Sequence, residues 1–163
     1  MKIKIFTTGG TIDKVYFDQK SVYQVGNPKV MDVLAEARVN FEYEVVSIMQ
    51  KDSLDMNEED RRLILDTIRR DDCNRVVVTH GTDTMIETAK TLRAITDKVI
   101  VLTGSIQPAR FKSSDAEFNI GCAIGAVQCL PPGVYIAMNG RIFDPEKVRK
   151  NFELNRFEDL PCS

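Results

Sequence analysis

The stretch VVVTHGTDTM, residues 76–85, decides the fold class of this chain. Its three consecutive valines predict a strand that is buried on both faces, and the polar residues after them mark the end of that strand. An earlier stretch, TTGGTID at residues 7–13, follows an alternating charged and apolar run in the same way. Parallel α/β sheets carry their chemistry at the carboxyl ends of the strands. Two strand ends that both present threonines therefore predict a site with hydroxyl groups.

Strands and helices are predicted to alternate along the chain. Short β-branched runs between turn residues predict five strands, at residues 2–7, 41–48, 75–79, 98–103 and 133–139. Apolar residues at helical spacing predict four helices between them, at residues 27–37, 57–70, 84–95 and 114–129. This order predicts an α/β fold with one doubly wound, mostly parallel sheet and helices on both faces. Residues 13–26 have little periodicity and are predicted to form a mobile loop over the end of the first strand.

The composition limits the class of protein. A chain of 163 residues, 43% hydrophobic and 28% charged, is long enough for one domain with a real core, so residues 1–163 are expected to form a single domain. A net charge of −2 with scattered Lys and Arg argues against nucleic acid and membrane partners. With neither a signal-peptide-like start nor a transmembrane span, a cytoplasmic location is expected. Four cysteines without a CxxC pair and a single histidine predict reduced thiols and no bound metal.

The glycines before Thr11 suggest two kinds of site. After a strand, Gly9 and Gly10 leave backbone N–H groups beside the Thr11 hydroxyl, which suits a nucleophile next to an oxyanion site. Alternatively, such glycines cradle a phosphate. A dinucleotide or ATP site is disfavoured, because the full GxGxxG spacing and the Walker lysine are missing and no acidic residue ends the second strand in the usual ribose-binding arrangement.

The second strand end is unusually polar. A helix cap would explain one of Thr82, Asp83 and Thr84, but packing alone does not explain all three. They are therefore interpreted as part of a site. The single histidine, His80, stands beside a glycine, a setting more typical of a structural hydrogen bond than of a catalytic base, and it is left out of the catalytic set.

Four stretches together resemble the amino-terminal domain of the bacterial-type L-asparaginases. They are TGGTID at residues 8–13, SLDMN at 53–57, HGTDTM at 80–85 and NGRIFDPEKVRKN at 139–151, in the family's order. In length the chain resembles the short asparaginases, which lack the second domain of the long enzymes. The resemblance implies flavodoxin- or Rossmann-like layering and an amidohydrolase that converts L-asparagine and water to L-aspartate and ammonia. It also implies no metal or organic cofactor, and a homodimer or higher homo-oligomer.

The resemblance assigns roles to individual residues. Thr11 falls on the nucleophile, which attacks the side-chain amide carbon, releases ammonia and leaves an aspartyl ester for water to hydrolyse. Thr82 falls on the second catalytic threonine, and Lys150 falls on its lysine partner, as a base or as a stabilising cation. Asp83 falls on the carboxylate that holds the substrate's α-ammonium, and Ser53 on the hydroxyl that meets its α-carboxylate.

Two further assignments involve a backbone group and a tyrosine. Backbone N–H groups around Gly10, Thr82 or Gly104 are candidates for stabilising the oxyanion, and Gly10 is counted among the substrate-binding residues. The family's catalytic tyrosine is assigned to Tyr16, which lies five residues after the nucleophile. Tyr23 is the alternative, because SVYQVG at residues 21–26 resembles the corresponding loop of the long enzymes.

The chain departs from the long enzymes in two ways that bear on function. Leu54 stands where they commonly place a polar side chain, which affects affinity or the preference between glutamine and asparagine. Their second domain also supplies an acidic residue to a neighbouring site, and the acidic residues that are candidates to replace it are Asp13, Asp115 and Glu117.

Two other functions remain open from the sequence. One is an amino-acid-binding domain that is catalytically weak or inactive. The other is an amidotransferase-like protein that delivers ammonia to a charged transfer RNA, a use that normally brings an RNA-binding region and a basic surface, neither of which is visible here.

Overall fold

A six-stranded sheet forms the centre of the computed structural model, which describes the backbone of residues 1–17 and 22–161 and their side chains except those of 15–17 and 22–25. The strands are β1 (Lys2–Gly9), β2 (Lys14–Phe17), β3 (Val22–Val25), β4 (Glu42–Lys51), β5 (Arg75–Thr79), β6 (Val99–Thr103), β7 (Gly133–Met138), β8 (Arg141–Phe143), β9 (Val148–Asn151) and β10 (Arg156–Asp159). The helices are α1 (Val30–Glu36), α2 (Glu58–Arg70), α3 (Met85–Leu92) and α4 (Ala116–Cys129), with 3₁₀ turns at Thr11–Asp13 and Ser53–Asp55.

The order of the strands confirms the predicted fold class. The central sheet runs β4-β1-β5-β6-β7-β8; its first five strands are parallel, and only β8 is antiparallel to its neighbour. The five parallel strands are the five that the sequence predicts, and α1 to α4 are the four predicted helices. The parallel order places the loops after β1, β4, β5 and β6 at one edge of the sheet, where a site is expected.

Both faces of the sheet are covered, which explains its strongly apolar strands. In β5, Val76 and Val78 pack into one core with α2 and α3, while Val77 packs into the other core with α1 and α4. Successive residues of a strand point to opposite faces. An uninterrupted valine run therefore fills both cores at once, as buried parallel strands require.

Three features differ from the sequence-based expectations. The described part of the predicted mobile loop is a hairpin, in which β2 and β3 pair antiparallel from Lys14 opposite Val25 to Phe17 opposite Val22. The prediction of a loop therefore missed these two strands, which are only four residues long, too short for a clear period. Strand β8 and the β9–β10 hairpin, both after residue 139, also escaped prediction.

The helix that follows the Ser53 turn has a well-defined start. Asn57 accepts a hydrogen bond from the Asp60 N–H at 3.0 Å, and the Asp60 carboxylate accepts one from the Asn57 N–H at 3.0 Å. This reciprocal capping box satisfies two N–H groups at the start of α2. Asp60 also binds Lys51 Nζ at 2.7 Å, which attaches the helix start to the end of β4. Within the described ranges, no helix is long and apolar enough to cross a membrane.

Candidate active site

Three strand-end loops meet at the carboxyl edge of the sheet. Gly10 follows β1, Gly81 follows β5 and Ser53 follows β4. A Cβ atom on Gly10 would overlap the Gly81 backbone, and one on Gly81 would lie 2.5 Å from Ser53 Oγ. Gly10 also has a φ of +90°, a backbone conformation that L side chains rarely adopt. The contact between the glycines places Thr11 and Thr82, the residues that follow them, in adjacent loops.

Thr11 opens the 3₁₀ turn and is half-buried. The Asp13 N–H donates to the Gly10 carbonyl at 3.2 Å within the turn, and the Ala109 N–H donates to the Ile12 carbonyl at 3.1 Å, so the loop after β6 also holds the turn. Among the described residues, none forms a hydrogen bond with the Thr11 hydroxyl. Within the described part of the chain, the Thr11 hydroxyl is therefore unpaired.

Lys150 connects β9 to the loop after β5. Its Nζ atom lies 2.8 Å from Thr82 Oγ1 and 2.5 Å from Asp83 Oδ1, across 68 residues of sequence. The Lys150 side chain is only 10% exposed, and Thr82 is 4% exposed. Lys150 Nζ also lies 4.9 Å from the centre of the Phe152 ring, within the range of a cation–π contact. The sequence-predicted residues Thr82, Asp83 and Lys150 thus form one contacting group.

Ser53 presents an unpaired hydroxyl at the same edge. The residue is 1% exposed, and its Oγ has no hydrogen-bond partner among the described residues. Leaving such a group unpaired costs about 1–3 kcal/mol, so a ligand that bonds to it would recover this free energy. The Ser53 carbonyl accepts a hydrogen bond from Thr84 Oγ1 at 2.8 Å, which ties the Ser53 turn to the start of α3.

His80 is fully buried beneath this edge. Its Nδ1 lies 2.7 Å from the Gly81 carbonyl, and its Nε2 lies 2.8 Å from Thr88 Oγ1. The carbonyl can only accept, so Nδ1 carries the proton and Nε2 accepts from Thr88. Burial lowers the pKa of His80 to about 4, which keeps the ring neutral near neutral pH. Both nitrogens are occupied by structural hydrogen bonds, and neither faces a substrate.

Asp13 has a different environment from the other acidic residues. It is 2% exposed, and burial raises its pKa from 3.8 to about 6, although the Lys29 N–H donates to its Oδ1 at 2.8 Å. The Asp13 carbonyl accepts the Gly26 N–H at 2.7 Å, so residues from both ends of the β2–β3 hairpin meet at this residue. Asp13 closes the base of the hairpin two residues after Thr11.

The other two candidate carboxylates lie on α4 or immediately before it. Asp115 accepts hydrogen bonds from the N–H groups of Ile106 and Gln107 at 3.0 and 3.1 Å, so it organises the loop after β6. Glu117 is exposed in the first turn of α4, in a groove shared with Lys29 of the segment before α1. In the described part of the chain, no group of three or more His, Cys, Asp or Glu side chains is placed to hold a metal.

The choice between Tyr16 and Tyr23 depends on side chains that lie outside the described part of the structure. The backbones of Tyr16 in β2 and Tyr23 in β3 are paired directly opposite each other. The side chains of both residues are outside the described part of the structure. The assignment to Tyr16, with Tyr23 as the alternative, stays a prediction.

Sequence reasoning missed the role of Gly81 and the contact that Thr84 makes. Gly81 permits the close approach of the Ser53 turn, and Thr84 uses its hydroxyl to hold that turn rather than to cap α3. Both residues stand inside the HGTDTM stretch, but a linear pattern carries no information on which loop packs against it. The sequence signal for Gly81 was a single glycine standing between the polar residues His80 and Thr82.

Comparison with known proteins shows which family the chain belongs to. The family model described as "Asparaginase, N-terminal" matches residues 2–158. L-asparaginase 2 of Bacillus subtilis is 30% identical over 162 residues, which cover 91% of this chain and 43% of that protein. The crystal structure of a probable cytoplasmic L-asparaginase from Campylobacter jejuni has a TM-score of 0.82 at 28% identity, covering 97% of this chain and 52% of the other.

Two further relatives extend the comparison. The thermostable L-asparaginase from Thermococcus kodakarensis has a TM-score of 0.86 at 27% identity, over 100% of this chain and 52% of the other. A glutamyl-tRNA(Gln) amidotransferase component of Thermoplasma volcanium is 31% identical over 150 residues, 87% of this chain and 36% of that protein. The chain therefore belongs to the asparaginase N-terminal domain family. It spans about half the length of the relatives it matches, or less.

Proposed function

We propose that this chain is an amidohydrolase that converts L-asparagine and water to L-aspartate and ammonia through a threonine nucleophile. The observation that carries the proposal is the contact of Lys150 Nζ, on a side chain that is 10% exposed, with Thr82 Oγ1 and Asp83 Oδ1. An amine that joins a threonine hydroxyl and a carboxylate at the carboxyl edge of a parallel sheet suits a group that takes part in catalysis.

In the first step, Thr11 Oγ1 attacks the side-chain amide carbon of asparagine. A tyrosine, proposed to be Tyr16, accepts the hydroxyl proton while it donates its own phenol proton to the amide nitrogen, so that the nitrogen leaves as ammonia. Backbone N–H groups near Gly10 stabilise the oxyanion, a contribution of about 3 kcal/mol per donor in comparable sites. Water then attacks the aspartyl ester, releases aspartate and returns the proton to Thr11 Oγ1.

Lys150 supports this chemistry in one of two protonation states. As a neutral amine it keeps an N–H for Asp83 and offers its lone pair to the Thr82 hydroxyl, which then activates the attacking water. As an ammonium it donates to both oxygens and stabilises developing negative charge.

Substrate is held by its α-amino and α-carboxylate groups. Asp83 Oδ1 is occupied by Lys150, so its Oδ2 is proposed to bind the α-ammonium. The buried, unpaired Ser53 Oγ is proposed to donate to the α-carboxylate. Neighbouring Leu54 is 71% exposed and carries no polar group, so the site is expected to bind the amino-acid backbone more weakly than a site with a polar side chain there.

The decisive experiment measures ammonia release from purified protein with L-asparagine, with L-glutamine and with buffer alone. Sustained release with asparagine that Thr11→Ala eliminates supports the proposal. Binding of asparagine by calorimetry without ammonia release would instead identify an amino-acid-binding domain. Absence of both would reject an asparagine site.

The similarity to an amidotransferase component of Thermoplasma volcanium is a reason to test a second function. We propose that an ammonia-delivering role would require a partner protein, because the charges of this chain are scattered and sum to −2. In the ammonia assay, such a role would appear as release that rises only when charged transfer RNA and a partner are added. Full activity of the protein alone with free asparagine would rule it out.

A further inference from the structure

The β9–β10 hairpin carries Lys150 and is joined to the rest of the site by a chain of side-chain amides. Lys150 lies in β9, directly opposite Phe157 in β10. The Phe157 N–H donates to Asn139 Oδ1 at 2.8 Å. Asn139 lies in the turn between β7 and β8, so this bond attaches the hairpin to the edge of the central sheet at the level of Lys150.

A second amide fixes Asn139 in turn. The Asn139 N–H donates at 3.1 Å to Oδ1 of Asn119, which is fully buried in α4. Asn119 Nδ2 donates to the Gly104 carbonyl at 3.0 Å and to Asp115 Oδ2 at 2.8 Å. These three hydrogen bonds join Asn119 to Gly104 in the loop after β6, to Asp115 at the start of α4 and to Asn139 in the turn after β7. The chain of bonds therefore runs from the loop after β6 to the strand opposite Lys150.

The backbone of Asn139 shows why asparagine stands there. Its φ is +53°, a left-handed conformation that glycine and asparagine adopt most readily. Glycine would satisfy the backbone equally well, but it has no acceptor for the Phe157 N–H. The asparagine amide is thus required by the hydrogen bond and not by the turn.

From these contacts we propose that Asn139, held by Asn119, is a positioning residue that keeps Lys150 Nζ in contact with Thr82 and Asp83. The inference rests on the proposed function only where activity is concerned. The placement of Lys150 itself is measurable without any turnover.

The test compares Asn139→Gly with Asn139→Asp and Asn155→Gly. Asn139→Gly keeps the positive φ and removes only the acceptor, whereas Asn139→Asp keeps an acceptor. Asn155 also has a positive φ of 47° and lies exposed in the turn of the same hairpin, so Asn155→Gly is the matched control.

The first readout is the rate of reductive methylation at Lys150, measured by mass spectrometry against the exposed Lys147 as an internal reference. Lys150 is expected to react at least about threefold faster in Asn139→Gly, because local opening of the hairpin frees its amine. The rate should match wild type in Asn139→Asp and in Asn155→Gly. Unchanged Lys150 reactivity in Asn139→Gly, or an equal rise in Asn155→Gly, would overturn the proposal.

The second readout is steady-state ammonia release. Asn139→Gly is expected to lower kcat about tenfold with KM unchanged, because a displaced lysine stabilises the transition state less but leaves substrate binding as it was. The kcat of Asn139→Asp should match that of the wild type. A rise in KM with kcat unchanged counts against the proposal. Wild-type protein without ammonia release would reject the proposed function, while the methylation result would still decide the role of Asn139.

If Asn139→Gly does not fold, hydrogen exchange of the wild-type Phe157 amide decides instead. Slow exchange relative to the amide of Phe152, an exposed residue in the turn of the same hairpin, supports the Asn139 bond. Exchange as fast as that of the Phe152 amide would show that this bond does not hold the hairpin.

Discussion

At the scale of single residues, the site depends on side chains that are far apart in sequence and buried together. Lys150 is 10% exposed and reaches Thr82 and Asp83, while Ser53 Oγ is buried without a partner and Thr11 is half-buried without one among the described residues. We propose that Lys150 acts on Thr82 and that Thr11 and Ser53 contact the substrate. Three predictions concern single residues.

Thr11→Ala is expected to lower kcat for asparagine hydrolysis by about 10³-fold or more, because no other hydroxyl replaces the nucleophile. The melting temperature should change little, since among the described residues the Thr11 side chain has no hydrogen-bond partner to lose. Thr96→Ala, at an exposed threonine between α3 and β6, serves as the control. Retained turnover in Thr11→Ala would remove Thr11 from the nucleophilic role.

Lys150→Met is expected to lower kcat by about 100-fold and to leave KM within about twofold, because the amine acts on Thr82 in the transition state. Lys147→Met changes an exposed lysine three residues earlier in the chain and should behave as wild type. Steady-state kinetics with asparagine checks the prediction. An increase in KM at constant kcat would assign Lys150 to substrate binding.

Asp13→Asn is expected to stabilise the protein above pH 6. Burial raises the folded-state pKa of Asp13 from 3.8 to about 6, so the folded state favours the protonated carboxyl and loses stability as the pH rises through this window. At about 1.4 kcal/mol per pH unit, the loss is up to about 3 kcal/mol. An amide keeps an acceptor for the Lys29 N–H and does not ionise.

Urea unfolding at several pH values measures this effect. The free energy of unfolding of Asp13→Asn should exceed that of wild type from pH 6 upward and should approach it near pH 3. Asp97→Asn, at an exposed carboxylate, is the control and should show no such pattern. Equal stability of wild type and Asp13→Asn at pH 7.5 would contradict the burial argument.

At the scale of secondary-structure elements, short connections position the site. The capping box of Asn57 and Asp60 starts α2 just after the Ser53 turn, and Asp60 also binds Lys51 at the end of β4. The helix start and the strand end therefore bracket the turn that carries Ser53. The geometry of the Ser53 turn depends on the start of α2 and on the end of β4.

Asn57→Ala is expected to lower the free energy of unfolding by about 1 kcal/mol, because two N–H groups at the start of α2 lose their partner or their fixed geometry. Asn57→Ser should retain most of the stability, since serine is also a good cap. Urea midpoints of the two variants test this. An Asn57→Ala midpoint equal to wild type would show that the capping box contributes nothing.

At the scale of the whole molecule, the sheet is buried on both faces while several large apolar side chains stay outside. Leu54 is 71%, Phe152 66% and Phe118 65% exposed. Large apolar side chains on a surface are typical of contacts with other protein surfaces when they gather into patches. The homodimer or higher homo-oligomer that the sequence resemblance implies would bury side chains of this kind, and it stays a prediction.

Sedimentation velocity is expected to show a species of at least twice the 18.4 kDa mass of the chain at micromolar concentration. Apolar contacts are weakened by urea, so low urea concentrations should dissociate it before the secondary structure is lost. A monomer at every concentration would contradict the proposal of a homo-oligomer.

The sequence by itself determined the α/β alternation. Each parallel strand is a short apolar run, as in residues 75–79 and 98–103, and each helix has its own apolar period. These are local signals, because strand and helix periods depend on neighbours within a few residues. The polar strand ends after β1 and β5 were readable for the same reason, and so was the family resemblance of the four stretches.

Only the tertiary structure decided which groups touch. The β2–β3 and β9–β10 hairpins have four-residue strands, so their pairing depends on docking rather than on a pattern. The contact of Lys150 with Thr82, the burial of Asp13 and the amide chain through Asn119 and Asn139 join segments far apart along the chain. Burial and hydrogen bonding across such distances depend on the packing of the whole sheet, because desolvation is a property of the surroundings and not of the residue.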